Sequence, residues 1–217
     1  MAGRYQRLIA CTPRLKRRAA YAPYRNAPLT GSGMGSGDTG ILGLMIVWTI
    51  GHGTRPVEEL VSVLREAGVR TLVDVRRFPG SRHNPQFNQA ALSVVLEQGE
   101  IAYRHAVELG GRLAGEPGED VFSCLRVPAF RSYAARMGTE GWQGALAAAL
   151  AEPAPCFMCS ETLWWRCHRR LIAELLHARG EQVLHLLRPG KLQKHKTLPD
   201  AETRDGRLYL CGTLVAS

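Results

Sequence analysis

Short apolar runs alternate with helical segments along most of the chain, and this alternation limits the fold more than any other feature. Five runs have the length and apolar character of buried strands. They are Leu44–Ile50, Thr71–Val75, Ile101–Tyr103, Cys156–Cys159 and Gln182–Leu187. The helical segments are Pro56–Ala67, Phe87–Gln98, Phe130–Met137, Trp142–Ala151 and Trp165–Arg179. Because strands separated by helices pair in parallel through right-handed crossovers, we predict a single α/β domain with a mostly parallel sheet of about five strands flanked by helices.

The two ends of the chain lack this pattern. Residues 1–43 are basic and then rich in glycine and serine, so we expect a disordered extension. Met45 opens the first strand directly and is a candidate start of the protein. Residues 44–190 form the predicted domain, and residues 191–217 a partly mobile tail whose segment 208–214 is either an edge strand or part of the tail.

Net charge and cysteine use point to a cytoplasmic protein. Residues 1–40 contain seven arginines and lysines against Asp38, so they carry +6 of the net charge of +9, and a basic stripe on the folded domain is not required. The longest apolar run, residues 41–48, is too short to span a bilayer, and no secretory signal precedes it. We therefore expect no membrane association, and free thiols rather than disulfides at the six cysteines.

Polar residues follow four of the predicted strands at the point where each strand ends. They are His52 and Thr54, then Asp74, Arg76, Arg77, Ser81 and Arg82, then His105, Gly110 and Gly111, and finally Cys159, Glu161, Cys167 and His168. In open parallel sheets, ligands bind outside the carboxyl ends of the strands. We therefore predict one site at this edge of the sheet.

The segment from Cys159 to Arg169 has the richest chemistry. It joins a strand to a helix, and a helix N-terminus favours anions and lowers the pKa of a thiol. As candidate catalytic residues we take His52, Asp74, Glu161, Cys167, His168 and Cys159. As candidate ligand-binding residues we take Thr54, Arg76, Arg77, Ser81, Arg82, Gly110, Gly111 and Arg169. Clustered arginines can hold phosphate or carboxylate groups through paired hydrogen bonds.

Structural explanations compete with these roles. Asp74 could pair with an arginine inside the protein, Glu161 and Arg169 could form an ion pair, and Trp164 and Trp165 are expected to pack rather than to stack on a base. A zinc site of Cys156, Cys159, Cys167 and His168 is disfavoured, because residues three apart on a strand point to opposite faces. We expect no metal and no cofactor.

In combination and order, several motifs resemble the bacterial family known as domain of unknown function 488. The motifs are Ile50-Gly-His-Gly-Thr54, Asp74-Val-Arg-Arg-Phe-Pro-Gly-Ser-Arg82 with Pro85 and Phe87, Tyr103 with Leu109-Gly-Gly111, Phe130 with Tyr133, and Cys159-x-Glu161 with Cys167-His-Arg169. They span residues 46–187. The resemblance implies an α/β fold and a site built from these residues, but it supplies no activity. Cys156 and the basic extension are not part of the family pattern.

These observations favour a site for an anionic ligand, namely a nucleotide or a phosphorylated or nucleic-acid-derived group. They do not decide whether the protein is an enzyme, and they do not indicate its oligomeric state. The alternatives are a non-catalytic nucleic-acid-binding or regulatory module and a structural zinc domain. Binding that neutralises phosphates would weaken steeply with salt, and metal analysis would identify a zinc domain.

Overall fold

All five predicted strands are present and lie in one sheet, which confirms the α/β class. The structure, a computed structural model, describes residues 45–111 and 121–217, so the disorder predicted for residues 1–43 falls outside the described residues. The strands of the main sheet are β1 (Ile46–Gly51), β2 (Thr71–Asp74), β3 (Ala102–His105), β4 (Pro155–Cys159), β5 (Gln182–Arg188) and β6 (Lys191–Lys194). The helices are α1 (Val57–Glu66), α2 (Gln89–Gln98), α3 (Pro128–Met137), α4 (Glu140–Leu150) and α5 (Arg169–Ala178).

The main sheet has the order β3-β2-β4-β1-β5-β6. The first five strands in this order are mutually parallel, and β6 pairs with β5 in the antiparallel direction. All five parallel strands therefore end at the same edge of the sheet.

The two faces of the sheet carry separate hydrophobic layers. Helices α1 and α2 cover one face, where Leu60 and Leu92 are fully buried. Helices α3, α4 and α5 cover the other face, to which Leu146 and Leu171 contribute. Because strand side chains alternate between faces, Cys156 lies in the first layer and Cys159 in the second.

The neighbouring strands β1 and β4 mark the point at which the connections change sides. The chain leaves β1 for α1 on one face of the sheet, and it leaves β4 for α5 on the other face. Connections that diverge in this way leave a crevice at the carboxyl ends of the two strands, which is where open α/β sheets bind ligands. Backbone bonds from His52 N to Cys159 O and from Gly53 N to Ser160 O, both 3.0 Å, hold the two loops together there.

The prediction of a C-terminal tail is corrected by the structure. After β6 the chain forms a small antiparallel sheet of β7 (Ala201–Arg204), β8 (Arg207–Leu210) and β9 (Thr213–Ala216). Its side chains Leu208, Leu210 and Val215 are buried against the α5 side of the core. Strand β7 was not predicted, and the possible edge strand at 208–214 is divided between β8 and β9. These strands are hard to recognise because each has four residues and a polar outer face, although Asp205-Gly206 is a typical hairpin turn.

The helix predicted from Trp165 begins later, at Arg169. Cys167 has extended backbone angles (φ −119°, ψ 151°), so a short 3₁₀ turn over Trp164–Arg166 is separated from α5. The sequence pattern does not reveal this break, because Trp164 is an apolar and buried residue even though it precedes the helix. The break places the Cys167 side chain at the N-terminal end of α5.

The expectation of free thiols holds for Cys156, Cys159 and Cys167 but not for Cys124 and Cys211, which form a disulfide. The two partners are 87 positions apart in sequence, and the turn between β8 and β9 brings Cys211 to the loop before α3. No short spacing motif signals this pair. Among the described residues, no helix is long and apolar enough to cross a membrane.

Candidate functional site

A cavity of about 600 Å³ opens at the carboxyl edge of the sheet, over the crevice between β1 and β4. Ten of the candidate residues line it: His52, Thr54, Arg76, Arg77, Ser81, Gly111, Cys159, Glu161, Cys167 and His168. Segments that follow all four predicted strands therefore meet at one place. The four candidates absent from its lining are Asp74, Arg82, Gly110 and Arg169.

Asp74 lies behind the cavity wall and is committed to Arg76. It is fully buried, and both of its carboxylate oxygens accept from Arg76 Nε, at 2.9 and 3.0 Å. It also accepts from the Tyr103 hydroxyl at 2.7 Å. Arg76 Nη2 donates in addition to the Phe87 carbonyl at 2.8 Å. Most of the hydrogen-bonding capacity of this pair is thus used inside the protein, which fits a structural role better than proton transfer by Asp74 or anion binding by Arg76.

His52 is a neutral imidazole that supports the same pair. Its Nδ1 lies 2.9 Å from the Gly53 carbonyl, which only accepts, so Nδ1 carries the proton. Its Nε2 lies 3.2 Å from Arg76 Nη1, which only donates. Burial and, to a smaller extent, the Arg76 charge lower the pKa of His52 from 6.5 to about 4. With both nitrogens occupied, His52 is poorly suited to act as a general base.

Cys167 is the most chemically activated group of the cavity. Burial raises the pKa of its thiol, but hydrogen bonds from Cys159 and Arg169 and the charge of Arg169 outweigh burial and lower that pKa from 9.0 to about 6. Arg169 Nε lies 3.4 Å from Cys167 Sγ, and the backbone N–H of Arg169 supports the same sulfur at the start of α5. Cys167 is therefore mostly thiolate at neutral pH.

Cys159 and His168 complete a compact group around this thiolate. Hydrogen bonding to Cys167, together with burial, raises the pKa of Cys159 to about 12, so Cys159 stays a thiol that donates to its neighbour. His168 Nδ1 lies 3.7 Å from Cys167 Sγ and 4.0 Å from Cys159 Sγ. Its Nε2 lies 3.2 Å from the Val75 carbonyl, which only accepts, so Nε2 carries a proton and Nδ1 faces the two sulfurs.

The same three residues are the ones that could hold a metal. Their ligand atoms lie within 4.8 Å of one another, whereas Cys156 is in the opposite hydrophobic layer. Two thiols and an imidazole suit zinc, although a closed structural site requires a fourth ligand. The four-residue zinc site is thus excluded by geometry, and a three-residue set remains.

Arg169 and Glu161 do not form the ion pair considered from sequence. Arg169 is almost fully buried and donates through Nη2 to the backbone carbonyl of Glu161. The Glu161 carboxylate instead accepts from Leu163 N at 3.0 Å and borders the cavity. Arg169 therefore fixes the loop between β4 and α5 while supporting Cys167.

The two candidate glycines do different things. A Cβ on Gly111 would lie 2.8 Å from His168 Nδ1, so only glycine lets the backbone pass this imidazole. Gly110 lies behind the wall, where its Cβ would meet the Val107 carbonyl at 2.8 Å. The third segment thus contributes close backbone approach rather than a functional side chain.

Sequence reasoning missed several residues of the cavity. They include Phe78, Asn84, Phe130, Ser160, Thr162 and Arg166. Phe78 and Phe130 belong to the motifs of the family resemblance, which was the available signal. Residue type alone does not mark them as site residues, because aromatic side chains more often pack in a core.

Comparison with known proteins gives a family and no activity. The family described as domain of unknown function DUF488 matches residues 56–176, which is more than half of the 217 residues, so the chain belongs to this family. No curated protein and no solved structure matches the chain.

Proposed function

We propose that this member of the DUF488 family is an enzyme in which the Cys167 thiolate attacks an anionic substrate bound in the cavity. The observation that carries the proposal is the position of Cys167 Sγ at the start of α5, beside Cys159 and Arg169 and on the cavity wall. A thiolate is the nucleophilic form of cysteine, and stabilisation by a helix N-terminus and an arginine is a common means of activating it.

Charged groups around the mouth support an anionic substrate. Arg77 and Arg166 line the cavity, and among the described residues neither forms a salt bridge with a buried carboxylate as Arg76 does. Arg82 follows in the same loop, outside the lining residues. The phosphate of a nucleotide, or of another phosphorylated or nucleic-acid-derived group, could bind to the arginines at the mouth of the cavity. The Cys167 thiolate would then lie at the bottom of the cavity. The hydroxyls of Thr54 and Ser81 add hydrogen-bonding groups on the wall.

In the proposed reaction, a sulfur lone pair of Cys167 forms a bond to an electrophilic centre of the substrate. The leaving group departs with the electrons of the broken bond, and Glu161, a carboxyl group on the cavity wall, is the candidate for exchanging a proton with it. His168 keeps its Nδ1 toward the sulfurs and serves to orient them. Water would release the covalent intermediate in a second step.

Substrate protection of Cys167 tests this proposal. A panel of nucleotides and sugar phosphates is first ranked by the rise in melting temperature of the full chain. We expect the stabilising compounds to slow carbamidomethylation of Cys167 by iodoacetamide, measured by peptide mass spectrometry, and to leave Cys156 unaffected. Stabilisation without protection of Cys167, with an affinity that falls steeply as salt rises, would favour a non-catalytic nucleic-acid-binding module instead.

Metal analysis tests the second alternative. If Cys167 acts as a free thiolate, protein purified without chelator holds no stoichiometric zinc. About one zinc per chain, lost in Cys167→Ser and kept in Cys156→Ser, would contradict the thiolate proposal and identify a metal site.

A further inference from the structure

One large side chain at the mouth of the cavity is left facing solvent. Phe78 is 66% exposed, the largest value among the exposed large hydrophobic residues of the described chain, and it lines the cavity. Most aromatic side chains of this protein are partly or fully buried, including Phe87, Tyr133 and Trp142. An exposed phenyl ring at the entrance of a polar cavity is available to contact a ligand.

Hydrogen bonds fix the backbone of the loop that carries Phe78, whereas the Phe78 ring itself is exposed. Pro79 O accepts from Gln89 N at 2.9 Å, at the start of α2. Ser81 N donates to the Asn88 side chain at 2.6 Å, and Asn84 N donates to Ser81 Oγ at 3.1 Å. The ring is therefore presented at a defined place, which lowers the entropy lost when a ligand packs on it.

The surroundings of Phe78 offer what a nucleobase needs. The Arg77 guanidinium lies 6.0 Å from the centroid of the Phe78 ring, so a cation adjoins the aromatic face. Ser81 and Asn84 line the same wall and can hydrogen-bond to the edge of a base. Arg166 lies on the wall as well, and the cavity volume of about 600 Å³ falls within the usual range for small-molecule sites.

We propose that the substrate carries a nucleobase that stacks on Phe78, with its phosphate near Arg77 and Arg166 and its reacting atom toward Cys167. This inference rests on the proposed function for its reaction, but not for its binding geometry. An aromatic face next to arginines is the arrangement with which proteins hold unpaired bases, and any base can stack on it. A free nucleotide and a base of a single strand share this chemistry.

The test compares ligands with and without a base. Binding of adenosine 5′-monophosphate, ribose 5-phosphate and a short oligothymidylate to the full chain is measured by calorimetry. We expect Phe78→Ala to weaken adenosine 5′-monophosphate about tenfold or more, which corresponds to the loss of one stacked base. Ribose 5-phosphate should bind Phe78→Ala as it binds the parent protein, and Phe78→Trp should retain base binding.

A matched control is Val94→Ala, which removes an exposed apolar side chain from α2, outside the cavity lining. It should bind all three ligands as the parent protein does. Tighter binding of the oligothymidylate than of the mononucleotide would assign the base to a single strand, and the reverse order would assign it to a free nucleotide. Equal weakening of adenosine 5′-monophosphate and ribose 5-phosphate by Phe78→Ala, or no weakening of either, would overturn the inference.

The outcome is separable from that of the proposed function. Cys167→Ser should leave the affinity for adenosine 5′-monophosphate unchanged, whereas Phe78→Ala should leave the reactivity of Cys167 toward iodoacetamide unchanged. Base-dependent binding with an unreactive Cys167 would retain the inference and reject the thiolate enzyme. A reactive Cys167 without base preference would do the opposite.

Discussion

Two groups of buried polar side chains lie on either side of β1, and they differ in access to solvent. The thiolate group consists of Cys159, Cys167 and His168, and all three border the cavity. The His185 group consists of Thr49, His185, His195 and Glu174, and none of these borders it. In the His185 group, contacts of 2.7, 3.1 and 3.0 Å run in series from Thr49 Oγ1 through both histidines to Glu174 Oε2.

The difference shows that burial and altered acidity do not by themselves mark a reactive site. Burial lowers the pKa of His185 to about 2, a larger displacement than those of His52, Cys159 and Cys167. Yet both nitrogens of His185 are engaged, and Trp164 stacks on its ring with 4.0 Å between centroids. The thiolate group has weaker, longer contacts and an open side. We therefore expect the His185 group to contribute to stability and the thiolate group to contain the reactive side chain.

The largest effect on stability is expected at the pair beneath the cavity. Asp74→Ala leaves the Arg76 guanidinium buried without its carboxylate, which should lower the free energy of unfolding by about 3–5 kcal/mol. Asp74→Asn keeps the shape and one acceptor, so its loss should be smaller. Denaturant unfolding followed by circular dichroism measures both. A loss below about 1 kcal/mol in Asp74→Ala would mean that the pair is not the support we describe.

The next effect is expected in the His185 group. Glu174→Ala removes the acceptor for His195 Nε2 and for Leu198 N, at 3.0 and 3.1 Å, and leaves the His195 donor buried without a partner. We expect the free energy of unfolding to fall by about 3 kcal/mol with no change in the reactivity of Cys167. Glu97→Ala, at an exposed position of α2, is the control and should change little. A change in Cys167 reactivity in Glu174→Ala would break the separation between the two groups.

Acid should act on stability through His52. Its pKa is about 4 in the folded protein against an ordinary value of 6.5, so the unfolded chain takes up the proton first as pH falls. Above pH 6.5, His52 is neutral in both states and does not reduce the free energy of unfolding. Between pH 6.5 and 4, that free energy falls progressively because the unfolded chain binds the proton more readily. In His52→Asn, the dependence of unfolding free energy on pH over this range should become shallower, by at most about 1.4 kcal/mol per pH unit. An unchanged slope would indicate that His52 is already charged in the folded protein.

The smallest effect is expected from shortening the chain. Residues 1–40 show no apolar periodicity that could offset the entropy of ordering them. A protein that begins at Met45 keeps the donor for Glu181, since Met45 N lies 2.8 Å from its carboxylate. We expect its melting temperature to match that of the full chain within a few degrees. A larger decrease would indicate that the N-terminal segment packs on the domain.

Periodicity predicted the strands that are buried on both faces and did not define the short strands that follow β6. Strands such as Thr71–Asp74 are buried on both faces and produce continuous apolar runs, whereas Ala201–Arg204 has a polar face and only four residues. The carboxyl-edge rule brought the candidate residues to one region because it depends on strand order rather than on side-chain detail. The rule does not predict which candidate side chains are already hydrogen-bonded within the protein, as those of Asp74 and His52 are.

Two features of the site depend on contacts that sequence does not encode locally. Cys167 is activated by Arg169 and Cys159 only because the 3₁₀ turn ends before it, and the helical pattern concealed that break. The role of Trp164 as a packing residue followed from its type, but its partner His185 is 21 positions away in sequence. Such pairings follow from the strand order of the sheet.

The central claim is that Cys167 is a thiolate at neutral pH, and the pH dependence of its alkylation tests this most directly. The rate of carbamidomethylation by iodoacetamide is measured from pH 5 to 10, with Cys156 as the internal comparison, because burial raises the pKa of that thiol. We predict that the Cys167 rate reaches half its maximum near pH 6, that Cys156 stays slow throughout, and that Cys167→Ser removes the fast phase while the protein remains folded. A half-maximum near pH 9, or equally slow modification of Cys156, Cys159 and Cys167, would contradict the account.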